Sequence, residues 1–310
     1  MLQRAIDAAA FLATDPIGQA RPGASPHTVI HSQASAKLRF FASTGRRALF
    51  VCMPLINTWT IWDLLPGHSV VAALVDAGID VYVLDWGKPG PEAEDRPLDH
   101  YVDEILGRAL DRARRHAGTT LDVAGYCVGG TFLAWHLARN RPEVRSAAFV
   151  ATPIDFHASG RLSRWADPAH FPLDALHGNF PAERLRASFA WLKPMGQARK
   201  WRSLLERPQA RELWAHLESW SRDGVDFPGR AYREYVRACY FDNRLREELG
   251  GVDVPALSVA ASRDHIVPPP AAHDLSAVWD GPVTERTLRG GHVGICLEKA
   301  LPAALSEWLS

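Results

Sequence analysis

The sequence predicts an α/β fold with a mostly parallel central sheet covered by helices on both faces. Short β-rich runs alternate with amphipathic helical stretches along most of the chain. Several of those runs are near-continuously apolar, as strands buried on both faces tend to be. The length, 310 residues, suits one large α/β domain with an insertion better than two independent domains.

The expected strands are AKLRFFA (36–42), ALFVCMP (48–54), IDVYVLDW (79–86), LDVAGY (121–126), AAFVATP (147–153), ALSVAAS (256–262) and VTERTL (283–288). Between them SVVAALVDAG, DEILGRALDRARRHAG, TFLAWHLARN and PAALSEWLS read as helices. Strand alternating with helix implies right-handed crossovers and a parallel sheet. One region breaks the rhythm. Residues 155–252 carry no convincing strand and are rich in Trp, Arg, Pro and Leu, including Trp165, Trp191, Trp201 and Trp220. This stretch is expected to form a helical cap insertion, within a single domain over residues 1–310, that lies over the sheet and limits access to the site.

Composition narrows the function classes. Hydrophobic residues make up 47% and charged residues 23%, as in ordinary globular proteins. Lys plus Arg and Asp plus Glu are both 35, so the formal net charge is zero, which argues against nucleic acid as the main partner. The cysteines, Cys52, Cys127, Cys239 and Cys296, are far apart, with no C-x-x-C pair and no zinc-site spacing. They read as reduced thiols in a cytosolic protein. The apolar run AAAFLA near the start is short and preceded by Asp7. It makes a poor signal peptide, and no stretch approaches the roughly 20 apolar residues of a spanning helix. A soluble, cytoplasmic protein without a membrane span is expected.

The strongest chemical signal is LDVAGYCVGGTFLAW. A short apolar strand runs into Gly125-Tyr126-Cys127-Val128-Gly129-Gly130 and directly into a helix. This is the G-x-nucleophile-x-G form of a nucleophile elbow, the mark of an α/β-hydrolase fold, with Cys in place of Ser. The turn is strained, so Gly125 and Gly129 must be small for strand and helix to approach. It lifts the side chain off the sheet and aims the Val128 amide at a reacting carbonyl. The helix N-terminus adds partial positive charge, which favours a thiolate and a developing oxyanion. Gly-rich strand–helix turns also bind phosphates, but no G-x-G-x-x-G or Walker Lys is present.

An elbow needs an acid and then a base later in the chain. ALSVAASRDHIVPP supplies Asp264 after a late strand, and TLRGGHVGI places His292 in the loop after the last strand. His265 adjoins Asp264 but is expected to be structural, since neighbours on a turn usually point apart. Asp85 and Asp155 follow earlier strands and read as capping or structural carboxylates. A second oxyanion donor should come from FVCMPLINTW, as the backbone amide of Leu55 or Ile56.

These residues resemble the polyhydroxyalkanoate synthases, particularly their shorter, class III catalytic subunits. The likeness runs in order from about residue 28 to residue 309, through PLINTWTIWDLLPGHSVVAALVDAGIDVYVLDWGKPG, GYCVGGTFLA, ATPIDF, SRDHIVP and GGHVGI. It departs in the cap. LKPMG stands where synthases tend to carry an Arg/Lys-Pro pair followed by Asn, residues 245–254 look trimmed, and the N-terminal domain of class I enzymes is absent. The resemblance implies catalytic roles for Cys127, Asp264 and His292. It implies polymerisation of 3-hydroxyacyl-CoA, 3-hydroxybutyryl-CoA in the first instance, with the coenzyme A thioester as substrate and no resident cofactor or metal. It also implies a polyester granule surface as partner and location, and a homodimer or a second synthase subunit.

Cysteine suits that chemistry. Acyl transfer from one thiol to another is nearly isoenergetic, so an acyl-cysteine keeps the driving force needed to make an ester. Two readings compete with a synthase. One is a thioesterase or polyester depolymerase using the same triad; the other is a non-catalytic interaction protein. The ratio of ester to free acid formed per coenzyme A released separates the enzymes, and absence of any release marks the third.

Overall fold

The computed structural model describes residues 2–45, 47–192 and 202–310. Its main sheet is built from β1 (Thr28–Gln33), β2 (Ala36–Phe41), β3 (Arg47–Cys52), β4 (Ile79–Asp85), β5 (Asp122–Tyr126), β6 (Ala147–Val150), β7 (Ala256–Ala261) and β8 (Val283–Leu288). The spatial order is β1-β2-β4-β3-β5-β6-β7-β8. β1 and β2 are antiparallel to each other, as are β2 and β4, and every pairing from β4 to β8 is parallel. Every strand expected from the sequence is present. β1 is the addition. Its residues, TVIHSQ, are half-polar and none is fully buried, because an edge strand has one neighbour and needs no continuous apolar run.

The central strands are buried along their whole length apart from Arg47 at the start of β3, which is why the sequence shows them as apolar runs. The helix Val70–Asp76 starts at Ser69, whose hydroxyl accepts from the Ala72 amide at 2.9 Å. The helix Leu106–Ala117 is preceded by a π-helical turn, His100–Ile105, and ends at Gly118 with φ 64°. The helices Val128–Asn140 and Ala300–Trp308 complete those expected from the sequence.

Between β6 and β7, residues 155–252 add no strand to the main sheet among the described residues. They form the helices Arg161–Trp165, Ala182–Leu192, Arg211–Arg222, Gly229–Val236 and Arg244–Glu248, with a π-helical turn at Arg237–Phe241. Asn243 knots the two ends of this segment together. Its side chain accepts from the Phe156 amide and donates to Asp155, both at 2.9 Å. Trp165 and Trp191 are exposed and Trp220 is buried, whereas Trp201 and residues 193–196 lie outside the described residues. The aromatic residues packed inside the segment are instead Phe156, Phe180, Phe227, Tyr232, Tyr235 and Tyr240.

Candidate active site

β5 ends at Tyr126, the next helix begins at Val128, and Cys127 makes the turn between them. Its φ of 52° and ψ of −127° lie where L side chains are rarely found. Such a conformation costs on the order of 1–3 kcal/mol and persists only when the surroundings over-determine it. Here they do. The Cys127 amide donates to the Val150 carbonyl at 3.0 Å, and its carbonyl accepts from the Gly130 and Thr131 amides at 2.9 and 3.2 Å. The flanking glycines allow the fit. A Cβ on Gly125 would stand 2.3 Å from the Gly130 Cα, and one on Gly129 would stand 2.2 Å from the Cys52 carbonyl oxygen. The following helix is therefore pressed directly against the end of β3.

Asp264 follows β7 and His292 follows β8, and parallel neighbours bring those two loops to the same edge of the sheet. His292 Nδ1 lies 2.7 Å from Asp264 Oδ2. The other carboxylate oxygen, Oδ1, accepts from the Ile266 and Val267 amides at 2.9 and 3.0 Å. Burial disfavours the Asp264 carboxylate, but His292 and these amides hold its pKa below the ordinary value. For His292, burial disfavours the charged ring. The charges on Cys127 and Asp264, and hydrogen bonds to both, outweigh this and push the pKa up to about 10. The imidazole thus lies between Cys127 and Asp264 and turns Nδ1 to the carboxylate. Cys127, Asp264 and His292 are each 7% exposed.

The two expected oxyanion donors lie on segments that meet at the elbow. Val128 is the first helical residue, so its N–H has no intrahelical acceptor. Leu55 is fully buried in the loop after β3, whose start is the backbone that Gly129 touches. The Trp86 indole holds that start by donating to the Met53 carbonyl at 2.6 Å.

The remaining sequence candidates separate cleanly. Asp264 directs one carboxylate oxygen at His292 and the other at the Ile266 and Val267 amides. Asp85 pairs with Arg39 at 2.8 Å and accepts from the Gly87 amide at 3.0 Å. Asp155 caps the turn at His157 and holds Asn243. The thiols of Cys52, Cys239 and Cys296 are all pushed up by burial, Cys296 to about 12. Among the described residues, no three His, Cys, Asp or Glu side chains come together as a group that holds a metal ion.

Three tyrosines were not anticipated as neighbours of the site. Tyr126 stacks on His292, and Tyr235 and Tyr240, from the segment after β6, lie in the neighbourhood of Cys127. Tyr126 stands inside the G-x-nucleophile-x-G string, so position alone could have flagged it. The other two carry no local motif. Only the tertiary fold brings them to Cys127.

Comparison with known proteins bears on the whole chain. The family model of the α/β hydrolase fold matches residues 62–295. Among curated proteins, the chain is 28% identical to the poly(3-hydroxyalkanoate) polymerase subunit PhaC of Haloferax mediterranei, over 96% of this chain and 66% of that one. It is 30% identical to the Haloarcula marismortui protein of the same name, over 84% of this chain and 60% of that one. For the Allochromatium vinosum subunit the figures are 29%, 93% and 89%. The chain thus spans about two thirds or less of the first two relatives and most of the third. Among solved structures, a hydrolase from Pseudomonas aeruginosa superposes with TM-score 0.60 at 16% identity, covering 93% of this chain and all of that one. An esterase from Exiguobacterium antarcticum gives 0.59 at 13% identity, covering 92% and 99%. These two likenesses speak to the fold alone.

Proposed function

This chain belongs to the α/β hydrolase fold family, and from that premise we propose that it is an acyltransferase joining 3-hydroxyacyl groups from coenzyme A thioesters into a polyester. The observation that carries this reading is a cysteine at the strand-to-helix turn, a thiol where the fold ordinarily sets a hydroxyl, beside the bonded pair His292–Asp264, in a chain similar to poly(3-hydroxyalkanoate) polymerases. Cys127 is the nucleophile, His292 the base and Asp264 the group that fixes the tautomer. The amides of Val128 and Leu55 receive the oxyanion. The thiolate of Cys127 adds to the thioester carbonyl, and the tetrahedral intermediate expels coenzyme A, which takes the proton from His292. Neutral His292 then accepts the proton of an incoming chain-end hydroxyl as that oxygen attacks the acyl-cysteine. The ester forms, and the thiolate–imidazolium pair is restored.

Residues 155–252 serve as a cap that keeps water from the acyl-cysteine. The low exposure of Cys127 and the nearness of Tyr235 and Tyr240 support this. 3-Hydroxybutyryl-CoA is the first substrate to try, alone and with a second synthase subunit, and a polyester granule is the expected location. The deciding measurement is ester oligomer against free 3-hydroxybutyrate per coenzyme A released. Oligomer supports the polymerase. Free acid under every condition would make this protein a hydrolase, and no release with no acyl-Cys127 by mass spectrometry would remove both readings.

A further inference from the structure

The loop after β3 is held from two sides by indole N–H groups. Trp86 fixes its start at Met53, and Trp220, 8% exposed on the helix Arg211–Arg222, donates to the Thr58 carbonyl at 3.1 Å. The chain leaving that helix continues along the loop. Gly224 forms an antiparallel bridge with Asn57, and the Val225 amide donates to the Ile56 carbonyl at 3.4 Å. Asp223 forms an ion pair with Lys88, and Phe227 bridges Phe180 through reciprocal amide–carbonyl bonds of 2.7 and 2.9 Å. The Ile56 and Thr58 carbonyls are thus both held from the segment 220–225, which belongs to the cap and not to the sheet, while the Thr58 hydroxyl pairs with Thr60.

We infer that the backbone strip Trp220–Phe227 positions the oxyanion loop, with Trp220 as the positioning residue, so that the seating of the cap sets the placement of the Leu55 amide. This rests on the proposed acyl transfer at Cys127. An oxyanion donor acts only when held at hydrogen-bonding distance from where the charge develops, and losing one typically costs about 10²–10³ in kcat. A loop cut free at Thr58 keeps its amide but loses its fixed aim. Cap and hole then form one unit: a displaced cap both admits water and weakens stabilisation of the tetrahedral state.

The test is Trp220→Phe, which keeps an aromatic ring and removes the N–H. The readouts are turnover of 3-hydroxybutyryl-CoA, iodoacetamide labelling of Cys127, and affinity for a trifluoromethyl-ketone analogue. That ketone takes up the thiolate at its carbonyl carbon, moves the C=O electron pair onto oxygen and loses no leaving group, so its binding reports the oxyanion site. Expected are a loss of about tenfold in kcat and a matching loss in analogue affinity, with KM and labelling within about twofold of wild type. Gly224→Ala shifts the same strip from its other side, because the new Cβ would stand 2.7 Å from the Ala182 Cβ. It should give the same signature, and it decides the matter if Trp220→Phe does not fold. Unchanged kcat and analogue affinity in the folded variants would overturn the inference, as would losses shared equally by labelling and melting temperature. A wild-type protein that never acylates at Cys127 would instead defeat the proposed function itself, and the inference with it.

Discussion

Tyr126 and His292 lie ring on ring, with centroids 5.5 Å apart and planes inclined by 28°, and the Tyr126 hydroxyl donates to the His292 carbonyl at 3.2 Å. One residue thus contacts both the backbone and the ring face of the histidine, immediately before Cys127. Tyr126→Phe keeps the stack and should cost about 1 kcal/mol of stability with a small effect on kcat. Tyr126→Ala removes the platform. It should destabilise by about 3–5 kcal/mol, as large-to-small core changes do, and lower kcat at least about tenfold by freeing the ring. Melts and turnover of both variants check this; equal activity in the two would show that the stack does not orient His292.

Iodoacetamide should single out Cys127. Burial raises the pKa of the other three thiols, while Cys127 faces His292 at the head of a helix. One equivalent at neutral pH should label Cys127 and leave Cys52, Cys239 and Cys296 unmodified in a peptide map. Comparable label on any of those three would remove Cys127 from its assigned role. Cys127→Ala should fold and show no turnover.

The His292 ring supplies a pH test. Its pKa in the folded protein is raised, so its contribution to stability is present in full below the unfolded value of about 6.5 and is lost as pH rises through about 10. The melting-temperature gap between wild type and His292→Gln should therefore narrow steadily from pH 6.5 to 10. A gap that stays constant over this range would show a neutral ring. At neutral pH, His292→Gln should lower acylation about 10²–10⁴-fold, the usual worth of general acid–base help. Asp264→Asn should lie between that variant and wild type.

The glycines make a paired test. A Cβ at Gly129 would meet backbone carbonyls of Cys52 and Met53 at 2.2 and 2.5 Å, and backbone cannot step aside. Gly129→Ala should fail to accumulate as folded protein. At Gly118 nothing lies within 4 Å, and only the positive φ of 64° resists a side chain. Gly118→Ala should fold and lose about 1 kcal/mol. Circular dichroism and melting of the two separate a packing requirement from a conformational one.

What could be read in the sequence, and what could not, divides along physical lines. Fully buried strands such as β5 and β7 announce themselves as apolar runs, and the elbow announces itself because Gly125 and Gly129 have no substitute. Asp264 and His292 were legible because parallel strands deliver their following loops to one edge, so chain order stands in for space. β1 was silent because a half-exposed edge strand needs no pattern. The grip of Trp220 on Thr58 was silent for another reason. It joins positions 162 residues apart through a backbone carbonyl, a group that every residue carries. Trp density marked the segment after β6, but the exposed Trp165 and Trp191 show that density does not say which rings turn inward.

The dihedral angles at Cys127 lead to a consequence for evolution. A residue with φ 52° and ψ −127° would sit more comfortably as glycine. Cys127→Gly should relax the turn and hold or raise the melting temperature while ending all turnover, a result that paired calorimetry and activity measurements would show. Selection for durability alone would drift this position toward glycine. If Cys127 carries the acyl group as proposed, a cysteine there is the trace of a second pressure acting against the first, written into a strained peptide unit.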